Sequence, residues 1–289
     1  MKIYGRIQAL DDKQRILTLA AHERVYRIYL ERGLFARHMM HLQVGHRVLL
    51  TLAPRKQRTP KWKVQHIHKI YGQNPRNRIV FSQKSIVSET KELLNSMRHM
   101  MFLDMEMSMH PYYLDKHFTQ EIIQVGYVIV DHHNHLLKRV STFIQPHKHP
   151  TLSKRTLKFL SLSQSDVDNG VTFKTFYDEF AHDIKTYQPA IIVWGKNDHI
   201  ALKEALQIHD LKEVEGLRFV NLLQLHKNVF LYKDDLGLLK AYELYGHQLE
   251  HTQKHDALED ALMTYKIFQG MKDVLNKKRP NPHPRIQKS

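Results

Sequence analysis

FLDMEMS, residues 102–108, is the stretch that decides the fold. Read as a β-strand, it sends alternate side chains to opposite faces. Asp104 and Glu106 then share one face, while Leu103 and Met105 point the other way. Two carboxylates among such apolar neighbours are costly to bury without compensation, and a bridging cation removes that cost. A D-x-E pair alone arises by chance in many chains, so its meaning depends on the sequence around it.

Working outward, Met100–Met107, Ile122–Val130 and Leu136–Ile144 read as three successive strands, the last two joined by a DHHN turn. Helical spacing follows around Ser153–Phe159 and Phe173–Tyr187. A short apolar run, Ala190–Trp194, precedes a helix at His199–Ile208, and Leu217–Leu222 reads as a further strand. Later helices are expected near Leu236–Tyr245 and Asp256–Val274. Strands first, then strands alternating with helices, predict an α/β fold on a mixed sheet.

Two more acidic elements lie in this region. Asp198 stands where a short strand gives way to a helix, so it is either a helix N-cap or a carboxylate presented at the sheet edge, and the two roles are compatible. On the last helix Ala257, Leu258, Ala261, Leu262, Tyr265 and Phe268 form most of an apolar face. Asp260 falls at or beside that face and needs a partner there. His255 stands at the entry to the helix, Asp256 reads as its cap, and Glu259 as a solvated residue.

The N-terminal region has a different texture. Lys2–Leu10, Arg15–Ala20, Val25–Leu30, Arg47–Ala53 and Trp62–Ile70 read as five strands, with a short helix within Gly33–Leu42. This order resembles an oligonucleotide-binding, OB-type β-barrel, although a different small barrel would give much the same pattern. The connection from Pro54 to Lys63 carries Arg55, Lys56, Arg58, Lys61 and Lys63, and reads as an exposed basic loop. Trp62 beside it either stacks on a base or packs into the barrel.

Charge follows the same division. The chain has a net charge of +15, yet residues 1–80 hold 17 lysines and arginines against 4 acidic residues. Residues 81–269 hold 21 against 24. A basic module beside a near-neutral one points to polyanion capture. The absence of cysteine excludes disulfides, thiolate metal sites and cysteine nucleophiles, and suits the cytoplasm. No apolar run is long enough to span a membrane, and the opening MKIYGRIQALDD lacks the apolar core of an export signal. No G-x-x-x-x-G-K loop occurs, so nucleotide-driven helicase or kinase action is not expected. The expected organisation is a basic OB-like domain at 1–80, a linker with a helix at 81–99, a catalytic domain at 100–275 and a basic disordered tail at 277–289.

Taken in order, Asp104 and Glu106, then Asp198, then His255 and Asp260 resemble the DEDDh exonucleases of the DnaQ-like, ribonuclease H-like superfamily. That family carries D-x-E on its first strand, a middle aspartate, and H-x(4)-D on a late helix. EIIQVGYVIVD and GLLKAYELYG strengthen the likeness, which spans residues 100–270. The WGKND segment looks more like the RNA-trimming branch, with its KapD-like and histone-mRNA exonucleases. The resemblance implies 3′→5′ hydrolysis of single-stranded RNA or DNA with two divalent cations, Mg²⁺ or Mn²⁺. It implies that Asp104 bridges both ions, Glu106 and Asp260 hold the ion carrying the attacking water, Asp198 helps hold the other, and His255 is the general base. Ser108, Leu103, Met107 and Phe159 are then candidate contacts for the metal shell or the terminal nucleotide.

Overall fold

Alternating apolar side chains build the first sheet of this computed structural model, which describes residues 1–56, 59–73, 79–113, 118–232, 234–248 and 255–282. Strands β1 (Lys2–Asp11), β2 (Ile16–Ala21) and β3 (Arg24–Tyr29) form an antiparallel meander. Helix α1 (Arg32–His38) leads to β4 (Arg47–Pro54), β5 (Trp62–Tyr71) and β6 (Ile79–Ser82). The order is β3-β2-β1-β4-β5-β6. A parallel pairing of β3 with β5, at Ile28↔Trp62 and Tyr29↔Lys63, closes the first five strands into an OB-like barrel. Its core holds Leu17, Leu19, Ile28, Val48, Leu50, Ile67 and Ile70, with Phe35 of α1 against it.

Contacts divide the chain into two units, Met1–Thr90 with Leu231–Asp234, and Lys91–Phe230 with Asp235–Ser289. The division falls after Thr90, within the linker expected at 81–99. The reason is β6, which pairs with β5 from Lys69↔Ser82 and draws the start of helix α2 (Gln83–Ser96) with it. Four residues with no extended alternation give no readable strand pattern. Most of the expected C-terminal tail lies outside the described residues.

The second unit is a mixed sheet covered by helices. Strands β7 (His99–Met107), β8 (Ile122–Asp131) and β9 (Leu136–Gln145) run antiparallel. Then come α3 (Lys154–Leu160), α4 (Gln164–Asp168), β10 (Val171–Thr172), α5 (Phe173–Tyr187), β11 (Ala190–Val193), α6 (Asn197–Ile208), β12 (Phe219–Asn221), α7 (Leu222–Phe230), α8 (Leu238–Leu244) and α9 (Ala257–Leu275). The order β10-β9-β8-β7-β11-β12, with β11 parallel to both β7 and β12, gives the ribonuclease H-like arrangement. Among the described residues no helix is long and apolar enough to cross a membrane.

Strand β7 lies between two layers. Its odd-numbered residues Met101, Leu103 and Met105 join Phe176 and Phe180 of α5 and Leu202 of α6 in one core. On its other face Phe102 meets Tyr265 and Phe268 of α9, with ring centroids 4.9 and 5.2 Å apart. Asp104 and Glu106 share parity with Phe102, so the strand aims both carboxylates at the α9 side.

Candidate active site

The site begins where the sheet loses a strand. Strand β11 pairs with β7 only as far as Ile192↔Phe102. Beyond it the backbone N–H of Met105 donates instead to Asp198 Oδ1, at 3.0 Å. Asp198 sits in the first turn of α6, and Lys196 holds the cap position without a side-chain bond, so the capping role does not apply. Its carboxylate occupies the gap left by the short strand.

From the other side, α9 brings His255 and Asp260. Its entry is clamped by Asp256, the N-cap, whose Oδ1 accepts the N–H groups of Leu258 and Glu259 at 3.0 Å each. Gln124 of β8 donates from Nε2 to Asp256 Oδ2 at 2.8 Å. Gly126 permits the approach: a Cβ there would lie 2.1 Å from the backbone nitrogen of Leu258. Because Gly126 is the register partner of Asp104, the helix start is set directly over the first carboxylate. Replacing Asp256 with alanine removes the cap and the Gln124 acceptor, and a urea melt should record a loss of about 1–2 kcal/mol.

Electrostatics mark the convergence. Burial, then the charges of Asp198, Asp260, Glu106 and Asp256, raise the Asp104 carboxyl well above the ordinary range. Burial, then Asp260, Asp198 and Asp256, push Glu106 up to about 8. Asp198 rises to about 6 through burial, against the opposing pull of the backbone N–H groups of Asp198 and Met105. Donor atoms of Glu106, His255 and Asp260 lie within 4.8 Å of one another. His255 Nδ1 is 3.9 Å from Glu106 Oε1, and its ring stacks on Phe159 at 4.5 Å between centroids. The five residues read from the sequence therefore meet in one cleft. Its donors are hard oxygens plus one imidazole, a set suited to hard divalent cations.

The other expected contacts fare unevenly. Leu103 is fully buried in the α5–α6 core, because its parity turns it away from the carboxylates, so it cannot touch a nucleotide. Met107 packs partly against that same core. Ser108 is buried, its Oγ accepting the Glu121 N–H at 3.0 Å, so it ties down the loop after β7. Phe159 is half exposed and stands at the cleft. In the barrel, Arg55 lies over the Tyr29 ring at 4.1 Å and Lys63 pairs with Glu31 at 2.7 Å. Lys56 and Lys61 are exposed, Trp62 packs partly on the barrel core, and Arg58 lies outside the described residues.

Sequence reasoning missed Gln124, Gly126 and Glu121. A glutamine and a glycine inside the apolar run IIQVGYVIV were the available signals, since a lone strand glycine marks close backbone approach. Glu121 is buried, its carboxylate accepting the N–H groups of His147, Lys148 and His149 at 2.7–3.0 Å, and it gave no pattern in sequence.

With this geometry the known relatives agree. The RNase_T model, described as Exonuclease, matches residues 101–268. The Bacillus subtilis (strain 168) protein named Probable 3′-5′ exonuclease KapD is 31% identical over 171 residues, covering 58% of this chain and 82% of that one. ERI1 exoribonuclease 2 of Xenopus laevis is 29% identical over 155 residues, 53% of this chain and 20% of its own. Among solved structures, the nuclease domain of 3′hExo, a DEDDh family member bound to rAMP, has a TM-score of 0.55 at 18% identity, covering 63% of this chain and 94% of that one. Cell-death related nuclease 4 follows at 0.52 and 18%, covering 63% and 64%. The matched span runs from the strand of Asp104 to the helix of Asp260, and by that span the chain belongs to the RNase_T exonuclease family.

Proposed function

We propose that the chain removes nucleotides one at a time from single-stranded 3′ ends, with RNA or short oligonucleotides as substrates and two divalent cations as cofactors. The observation that carries this reading is the crowding of Asp104, Glu106, Asp198 and Asp260, whose carboxyls are buried together against their own repulsion. Divalent cations bound there would supply the charge that polarises a water and offsets negative charge on the scissile phosphate. Asp104, Glu106, Asp198 and Asp260 would hold them. His255, near the Glu106 carboxylate and steadied by Phe159, is set to take the proton from the attacking water, and the resulting imidazolium sits beside acidic groups. The names of KapD and ERI1 exoribonuclease 2 support the direction and an RNA substrate. The basic barrel would add affinity for longer strands through Lys56 and Lys61.

The test uses matched RNA and DNA strands labelled at either end, with Mg²⁺ or Mn²⁺. Stepwise release of mononucleotides from the 3′ label, absent with chelator, is the expected result. Release from the 5′ label first, or internal cuts, would refute the direction.

Proton linkage gives a further expected result. Without cations the folded chain holds protons on Glu106 and Asp198 that the unfolded chain releases, so raising pH from the ordinary carboxylate range destabilises it, up to about 6 for Asp198 and up to about 8 for Glu106. Cations bind the ionised forms and cancel that loss. The rise in melting temperature on adding Mn²⁺ should therefore be larger at pH 8.5 than at pH 6, and equal rises would exclude these carboxyls as the binding groups.

A further inference from the structure

The loop after β7 and the helix α3 are tied together beside the cleft. Met109 N–H donates to Thr156 Oγ1 at 2.9 Å, and Ser153 Oγ donates to the Met109 carbonyl at 2.8 Å. Thr156 is fully buried in this joint. At one end of α3, Phe159 stacks on His255. One helical turn back, about 6 Å along the axis, Arg155 lies on the same face. Its guanidinium approaches the His110 ring, with Nη1 3.4 Å from Nε2. Two residues beyond His110, Tyr112 is 68% exposed and Tyr113 89% exposed, unusual for such large rings. Among the described residues Arg155 makes no ion pair, so its charge is not spent within the unit.

These residues link to His255 in turn: Phe159 stacks on it, Arg155 one turn back meets His110, and two exposed tyrosines follow His110 closely in the chain. Cations interleaved with exposed aromatic rings are what a single strand requires, since phosphates meet the charge and base faces meet the rings. We propose that these residues form a second subsite, which holds the nucleotides immediately upstream of the terminal one. Arg155 contacts an upstream phosphate, and Tyr112 and Tyr113 stack on the bases that follow. The inference rests on the exonuclease reading of the cleft, and extends it by assigning the strand a path within the catalytic unit. The occupant is committed by continuity: the set joins the carboxylate cluster through the stack of Phe159 on His255.

The experiment compares a dinucleotide with a hexanucleotide of the same base in the full-length protein, together with Mg²⁺. The native chain should favour the hexamer in kcat/KM. In Arg155→Ala, and in Tyr112→Ala with Tyr113→Ala, that preference should fall about tenfold, through KM rather than kcat. Arg155→Lys and Tyr112→Phe should restore most of it. Equal losses on both lengths, or an unchanged preference, would overturn the subsite. Anisotropy of a labelled hexamer in chelator separates the two readings: weakened binding in the variants supports the subsite even if no nucleotide is released, whereas absence of release by the native chain sinks the exonuclease reading.

Discussion

Asp104→Ala and Asp260→Ala should each cut nucleotide release by at least about 10³-fold in kcat/KM, because groups that act as one unit lose nearly everything when any member goes. Asp104 is the stronger test. It lies at the centre of the cluster, where burial and four neighbouring carboxylates act on it. A different substitution, Asp104→Asn, should have the opposite effect on stability: at high pH, where the raised carboxyls ionise, it removes one charge from a repelling set, so in chelator the variant should melt above the native chain. With Mn²⁺ present that advantage should vanish, since the native chain gains the cation and the variant does not. Cleavage that persists in both alanine variants would remove these residues from the chemistry, whatever the melts record.

Gly126→Ala should be the most damaging small change outside the cluster. A methyl group there would sit 2.1 Å from Leu258 N and 2.3 Å from Ala257 C, both backbone atoms that cannot swing aside. Either β8 or the start of α9 must shift, at a cost of roughly 3 kcal/mol or more. A displacement of about 1 Å would carry His255 and Asp260 away from Asp104 and Glu106, for roughly a further 10²-fold in rate. Urea melts with parallel rate measurements check both parts. A variant that melts and cleaves like the native chain would refute the close approach.

How much of this was legible in the sequence depends on the kind of signal. Parity along FLDMEMS put Asp104 and Glu106 opposite Leu103 and Met105, and the burial of Leu103 and Met105 agrees. That same parity argues against Leu103 as a nucleotide contact, a conflict contained in the alternation of the strand itself. The five barrel strands were readable because each runs six or more residues, although β5 buries Val64, Ile67 and Ile70 at every third position across its bulges. Short elements were not: β6 and β10 give no period, and α7 begins inside an apolar stretch that reads equally well as the end of a strand. Helix α4 carried a mark that sequence reasoning passed over, the capping box of Ser163 and Asp166. The joints that hold the cleft together, Gln124 to Asp256 and Glu121 to the 147–149 backbone, link positions more than 25 residues apart, and no local pattern records such a pairing.

The early end of β11 has one more implication. Were that strand two rungs longer, its carbonyls would claim the Met105 amide and evict Asp198, while the layers and the hydrophobic centre stayed as they are. Competence here thus rides on an unfinished ladder, and an insertion that changes no charged residue could silence the protein without unfolding it.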